Sequence, residues 1–274
     1  MTYDGAIIEG TGIGGKVLIV QKSPEFMRDV APYFAPSFII VFAHICYAYT
    51  GNLVFPIWLM YLACPICNFF LPEDNQNLTQ KCEKAYNNDK RFWLPLYTFN
   101  LLETLTWIWA LIVVSDEVNP DFFWFKLKPR TTGQYLLFTF QWGYFCGLNA
   151  VGGHELLHKK ETYNKVLGTW SYTKFMYSHF LDEHLKGHHK SVGTREDPAT
   201  ARLNETLYEF IPRSFFGSHI NVWQRECKRI RKEMGEDTPF ILILFNNKMS
   251  MYFVIHMSIL ATIYFFLGKE SLKY

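Results

Sequence analysis

Six of the nine histidines in this 274-residue sequence lie between His154 and His189, five of them in two groups. The first is Gly153-His154-Glu155-Leu156-Leu157-His158-Lys159, and the second is Glu183-His184-Leu185-Lys186-Gly187-His188-His189. On a helix, residues i and i+4 share one face a turn apart, so His154 and His158 can present two imidazoles to one ion. His184 and His188 repeat that spacing, and His189 adds a donor beside them. Five imidazoles from two short segments form a metal-ligating set. His179, five residues ahead of the second group, reads as a hydrogen-bonding neighbour of such a set. The isolated His44, His219 and His256 read as structural.

Ligand type leaves the metal open, because imidazole suits iron, copper, nickel and zinc alike. HELLH also satisfies HExxH, the zinc protease pattern, with Glu155 as general base. A catalytic zinc takes three protein ligands and keeps one position open. Five imidazoles exceed that need and suit two metals, or one of higher coordination.

The elements that must carry these residues are apolar. Aromatics make up 18% of the chain and gather in long runs, while charge concentrates between about residues 153 and 238. Five segments, 32–50, 53–71, 92–115, 133–152 and 249–267, are long enough to cross a bilayer core of about 30 Å. Gly51-Asn52 makes a tight turn between the first two. Apolar patches at 166–181 and 207–223 carry too many polar residues to span, and read as helices at the membrane surface or in a soluble cap. The expected fold is all-α: a polytopic transmembrane bundle with a helical cap carrying the histidines. Residues 1–31 form an N-terminal cytoplasmic segment and 32–274 the membrane-bound domain.

Lys and Arg set the orientation. Residues 153–248 hold fifteen of them, so five crossings with a cytoplasmic N-terminus place the histidines in the cytoplasm. The sequons at Asn77 and Asn204 then face the cytoplasm unmodified. Other signals are excluded or weak. Residues 1–31 lack a cleavable signal pattern. Gly10 to Lys16 approaches a phosphate-binding loop, but Val17 stands where Ser or Thr is needed, and the stretch reads as a flexible glycine-rich segment. A net charge of +2 without a basic tract argues against nucleic acid. Cys64 and Cys67 sit in an apolar run and read as packing.

HELLHK (154–159) and EHLKGHH (183–189) resemble the first two histidine boxes of the membrane-bound non-haem di-iron hydroxylases within the desaturase/hydroxylase superfamily. The alkane 1-monooxygenase family is the nearest match. The resemblance continues through Glu196-Asp197-Pro198-Ala199, Asn204-Glu205, Tyr208, Phe210, Pro212-Arg213 and Gly217-Ser218, and covers about 32 to 267. It implies six transmembrane helices with a di-iron site at their cytoplasmic end. It also implies terminal hydroxylation of alkanes or fatty-acyl-type lipids by activated oxygen, with electrons from a rubredoxin- or ferredoxin-type partner. On that likeness His154, His158, His184, His188 and His189 ligate iron, and Glu155, Glu183 and Asp197 are the carboxylates that orient imidazoles and offset charge. Trp107, Trp109, Phe138, Phe140, Trp142, Tyr144 and Phe145 either line a substrate channel or simply pack the spans.

The sequence departs from the family pattern: a sixth span, an asparagine–tyrosine–glutamate–histidine box and a third histidine box do not occur in the 274 residues. With five crossings, Tyr274 lies on the side opposite the histidines. The expectation is a truncated form that cannot complete a di-iron site alone. A desaturase-type di-iron enzyme, a zinc protease and a non-catalytic decayed paralogue stand as alternatives.

Overall fold

The computed structural model describes residues 7–12, 15–20, 22–52, 54–70, 76–115, 117–118, 128–129 and 131–273. Among these the chain is helical apart from one small sheet. Strand β1 (Ile7–Gly12) pairs antiparallel with β2 (Gly15–Val20), and β2 pairs in parallel with β3 (Gln76–Leu78). This corrects the expectation of a flexible segment at Gly10–Lys16. Val17, Ile19 and Val20 are β-branched and favour a pleated surface, with Gly12 and Gly15 flanking the reversal. Residues 13 and 14 lie outside the described residues.

The helices are α1 (Ala35–Thr50), α2 (Val54–Phe70), α3 (Gln80–Asn88), α4 (Trp93–Val114), α5 (Thr132–Leu157), α6 (Thr162–Thr173), α7 (Phe180–Glu183), α8 (His189–Ser191), α9 (Leu207–Met234), α10 (Phe240–Asn246) and α11 (Lys248–Leu267). Every segment expected to span is helical. Phe26–Thr50, Lys90–Val114 and Lys248–Leu267 are long and apolar enough to cross a membrane. Helix α2 covers 17 residues, and α5 ends in the polar Gly153-His154-Glu155 stretch, so five crossings go beyond that count. The expected turn after the first span is present. Gly51 closes α1 in the left-handed conformation at φ 72°, which a side chain would oppose, and its N–H reaches the Tyr47 carbonyl.

The described chain divides into two compact units, residues 1–106 with 120–146, and residues 107–119 with 147–274. In the first unit Tyr47 packs between Phe138 and Trp142, with ring centroids 5.5 and 6.3 Å away. His44 Nε2 lies 2.9 Å from the Thr106 hydroxyl, in keeping with the structural role expected of it.

In the second unit α6 turns back along the end of α5. The Tyr172 hydroxyl donates to the Ala150 carbonyl at 2.8 Å. A Cβ on Gly168 would stand 2.7 Å from both the Gly153 carbonyl oxygen and the Leu157 side chain, so this crossing depends on glycine. Helix α9 starts with a capping box, in which the Thr206 hydroxyl accepts from Glu209 N–H and the Glu209 carboxylate accepts from Thr206 N–H. It runs to Met234, well past the patch expected at 207–223. The Ser115 hydroxyl donates to the Leu267 carbonyl at 2.6 Å, tying the C-terminal end of α4 to that of α11.

Candidate metal centre

Both histidine segments lie in the second unit. The first occupies the last turn of α5, with His158 just past its end. His154 Nδ1–H donates to the Glu155 carboxylate at 3.1 Å. That fixes the proton on Nδ1 and leaves the Nε2 lone pair free to ligate. His154 Nε2 and His158 Nε2 are 3.1 Å apart, so the i,i+4 expectation holds for this segment.

The second segment differs from expectation. Residues His184–His188 form a π-turn, in which the His189 N–H reaches the His184 carbonyl five residues back. At 3.6 residues per α-turn, positions i and i+5 point about 140° apart. The wider i→i+5 turn brings them onto one face. His184 Nε2 therefore meets His189 Nε2 at 3.0 Å, not His188. The His188 ring is directed to the buried Asp197, its Nδ1–H donating to Asp197 Oδ2 at 2.8 Å. The expected His184/His188 pair is in this respect replaced by a His184/His189 pair.

His184 Nε2 also lies 3.1 Å from His158 Nε2. The ring nitrogens of His154, His158 and His184 all fall within 4.8 Å of one another. Hydrogen bonding accounts for this arrangement only through shared, three-centre bonds. A ring nitrogen carries one proton or one lone pair, never both, yet His158 Nε2 and His184 Nε2 each face two other nitrogens. A cation can satisfy all of them together. With metal–nitrogen distances of about 2.0–2.1 Å, as for imidazole on zinc, two ligands at right angles sit about 2.9 Å apart. The observed separations of 3.0–3.1 Å match that spacing. His154, His158, His184 and His189 could thus hold a metal, and His188 offers its Nε2 from the side.

Electrostatics favour neutral, ligating imidazoles. Burial, and then the facing His154, His189 and His158, push His184 down to about 4. Burial lowers His158 as well, with His154 and His189 next in effect. The Phe180 ring stacks on His184 at 4.9 Å and 14° and fixes its plane.

The three carboxylates are used differently. Asp197 is buried, and it accepts from the Thr200 hydroxyl, the Ala199 N–H and His188. Burial alone would raise its carboxyl, but those hydrogen bonds outweigh it and hold the group below the ordinary range. Glu155 is half exposed. Glu183, expected to orient an imidazole, instead forms a buried ion pair with Arg225 of α9. A Cβ at Gly187 would lie 2.7–2.8 Å from that pair, so the glycine in the second histidine segment makes room for the pair.

Several residues at the site carried no histidine-like signal. Arg213 grips the Asp197 loop through the Pro198 and Thr200 carbonyls and pairs with Glu205 through two hydrogen bonds. Gly217 packs against Pro198. These contacts give a reason for the Glu205, Arg213 and Gly217 pattern after the second box. His179, 1% exposed, bonds the Ser218 hydroxyl at 3.2 Å and faces the His219 ring at 3.8 Å. His256 of α11 bonds the Ser178 hydroxyl at 2.7 Å. Both are away from the ligand cluster, as expected of His219 and His256. Of the aromatics considered for a channel, Trp107 lines an apolar cavity of about 330 Å³ with Leu111, Trp170, Ile263 and Phe266. Phe138, Trp142 and Phe145 are buried in the first unit, and Phe140 is exposed.

A family model described as fatty acid desaturase matches residues 130–272, just over half of the chain. Alkane 1-monooxygenase 1 of Alcanivorax borkumensis is 29% identical over 181 residues, 66% of this chain and 42% of the relative. Alkane 1-monooxygenase of Ectopseudomonas oleovorans matches to the same extent. The enzyme of that name from Pseudomonas putida is 26% identical over 223 residues, 81% of this chain and 51% of its own length. The chain thus spans about half or less of the curated relatives it matches. The histidine cluster and the family match fall on the same residues: this chain belongs to the fatty acid desaturase family, and the relatives it resembles there are alkane 1-monooxygenases.

Proposed function

We propose that this chain carries the metal centre of an iron-dependent membrane monooxygenase that hydroxylates alkyl chains, as the names of its relatives suggest. The observation that carries the reading is the close approach of the His154, His158 and His184 ring nitrogens, with His189 Nε2 beside His184, at spacings that a shared cation would produce. His154, His158, His184 and His189 would hold the metal, with His188 available to a second one. Bound iron would supply the one-electron and dioxygen chemistry that an unactivated C–H bond demands. Glu155 holds the His154 proton on Nδ1, and Asp197 does the same for His188, so both rings present Nε2. Glu183 acts on the backbone turn through Arg225 and not on an imidazole.

The apolar spans suit an alkane or a fatty-acyl chain delivered from the bilayer, and the reaction needs an electron donor of rubredoxin or ferredoxin type. The charge distribution of residues 153–248 favours a cytoplasmic face for the cluster. Residues 32–274 would then be one membrane-bound domain behind a short N-terminal segment. A desaturase reaction is the second reading, favoured by the family model over residues 130–272. The zinc protease reading loses ground, because Glu155, its general base, is engaged with His154 Nδ1.

The test is metal analysis of the purified full chain, followed by oxygen-dependent turnover of a medium-chain alkane with a rubredoxin donor. Iron and a primary alcohol product are expected. One zinc and no iron would sink the proposal, and an alkene product would move it to the desaturase reading.

A further inference from the structure

Two residues before His184 stands Asp182, whose carboxylate is buried at 2% exposure yet makes three hydrogen bonds. Oδ1 accepts from Lys186 Nζ at 2.5 Å and from Lys248 Nζ at 3.1 Å; Oδ2 accepts from the Tyr252 hydroxyl at 2.9 Å. Lys186 belongs to the π-turn itself. Lys248 and Tyr252 are i and i+4 on the first turns of α11, sharing a face with His256, which holds Ser178. One stripe of α11 thus grips the segment leading into the second histidine group at two levels. Glu226 of α9 accepts from the Lys248 N–H at 3.4 Å and from Arg229, so the start of α11 is itself fixed.

A π-turn is less favourable than the α-helix around it and persists where surrounding contacts over-determine it. Here those contacts are ionic, and their carboxylates are buried. Asp182 is tied to α11, and the adjacent Glu183 is tied to α9 through Arg225. If the turn relaxed to α geometry, His189 would rotate away from His184, and the cluster would lose one of its nitrogens. We propose that Asp182 is a positioning residue of the metal site: through Lys248 and Tyr252 it lets α11 set the register of the π-turn on which His184 and His189 converge. Asp182 touches neither metal nor substrate. The inference rests on the reading of the histidines as ligands.

The experiment is a cobalt(II) titration of the purified full chain in detergent, followed by visible absorption, alongside melting of the metal-free protein. Asp182→Asn keeps the shape but removes the charge; Tyr252→Phe and Lys248→Met each remove one hydrogen bond. Cobalt affinity is expected to fall by about 10–100-fold in Asp182→Asn, the range typical of partners that orient ligands. The two α11 variants should follow with smaller losses and with an altered band shape. A merely structural contribution would lower the melting temperature and leave affinity and band shape as in the wild type, which overturns the inference. Should Asp182→Asn not fold, Tyr252→Phe and Lys248→Met decide it: wild-type cobalt affinity in both overturns it. A wild-type chain that binds neither cobalt nor iron would instead overturn the ligand reading, and this inference with it. Lys228→Gln, on the exposed side of α9, serves as the control that should titrate like the wild type.

Discussion

The two histidine segments reach one cluster by different means. The first sits on a regular helix end, and among the described residues its side-chain polar support is the half-exposed Glu155. Its position is set by close packing instead, with Gly153 and Gly168 letting α5 and α6 touch. The second sits on a π-turn and is surrounded by buried carboxylates, Asp182, Glu183 and Asp197, each tied to a different partner. An α-helix end needs no help to place residues four apart on one face. A turn off the α-helical path needs bonds on every side. Backbone cost and the density of polar support therefore rise together, and perturbations should separate the two segments.

The largest expected effect comes from His184, whose Nε2 faces both His158 and His189 and so links the two segments. His184→Ala should abolish cobalt or iron binding in a titration, a loss beyond the 10–100-fold that orienting partners cost. His188→Ala, turned toward Asp197, should retain the first metal with a loss of about tenfold or less. Equal losses in the two variants would mean that the His184/His189 pairing is not the one that binds.

Next come the carboxylates. Asp197 is buried with three donors around it, whereas Glu155 is exposed to water that can replace it. Asp197→Asn should lower metal affinity by about 10–100-fold, and Glu155→Gln by less than about tenfold. If the two titrate alike, polar support is not concentrated on the second segment.

These contrasts also mark what the sequence could convey. The i,i+4 spacing of His154 and His158 survives folding because α5 continues regularly to that point. Of the five ligand candidates, His154, His158 and His184 come together and His189 lies beside His184, since their types and proximity along the chain already constrain them. The helical character of all five apolar segments was legible for the same reason, a composition that has no other stable form in a bilayer. The π-turn was not legible. Nothing in EHLKGHH marks a widened turn, because the causes are Lys248, Tyr252 and Arg225, 41 to 68 residues downstream of His184. The fate of Glu183 was hidden likewise: a carboxylate beside a histidine suggests an imidazole partner, and only tertiary structure supplies Arg225. The strands at Ile7–Val20 were overlooked because glycines drew attention from the β-branched residues that follow them.

Glycine substitutions probe the packing side of the comparison. At Gly168 an added methyl meets a backbone carbonyl that cannot yield, so Gly168→Ala should destabilise by about 1–3 kcal/mol through overpacking. At Gly187 the methyl meets side-chain ends of Glu183 and Arg225, which can move apart. Gly187→Ala should melt closer to the wild type yet lose more metal affinity. The reverse pattern would assign packing to the second segment and ion pairing to the first.

The smallest expected effect is on pH dependence, and it belongs to the second region. His179 is 1% exposed, and burial, aided by the neighbouring His219 and His256, pushes its imidazolium down to about 3. An unfolded histidine titrates near 6.5. As pH falls below 6.5, the unfolded chain takes up a proton that folded His179 refuses, so stability present at neutral pH is lost progressively toward pH 3. Between pH 6.5 and 5 this should cost on the order of 1–2 kcal/mol, or several degrees in the melting temperature of the metal-free protein. His179→Gln can still bond the Ser218 hydroxyl but cannot be charged. It should flatten the melting profile over that interval while leaving the neutral-pH value near the wild type. An unchanged slope would move the acid sensitivity to groups outside this buried pocket.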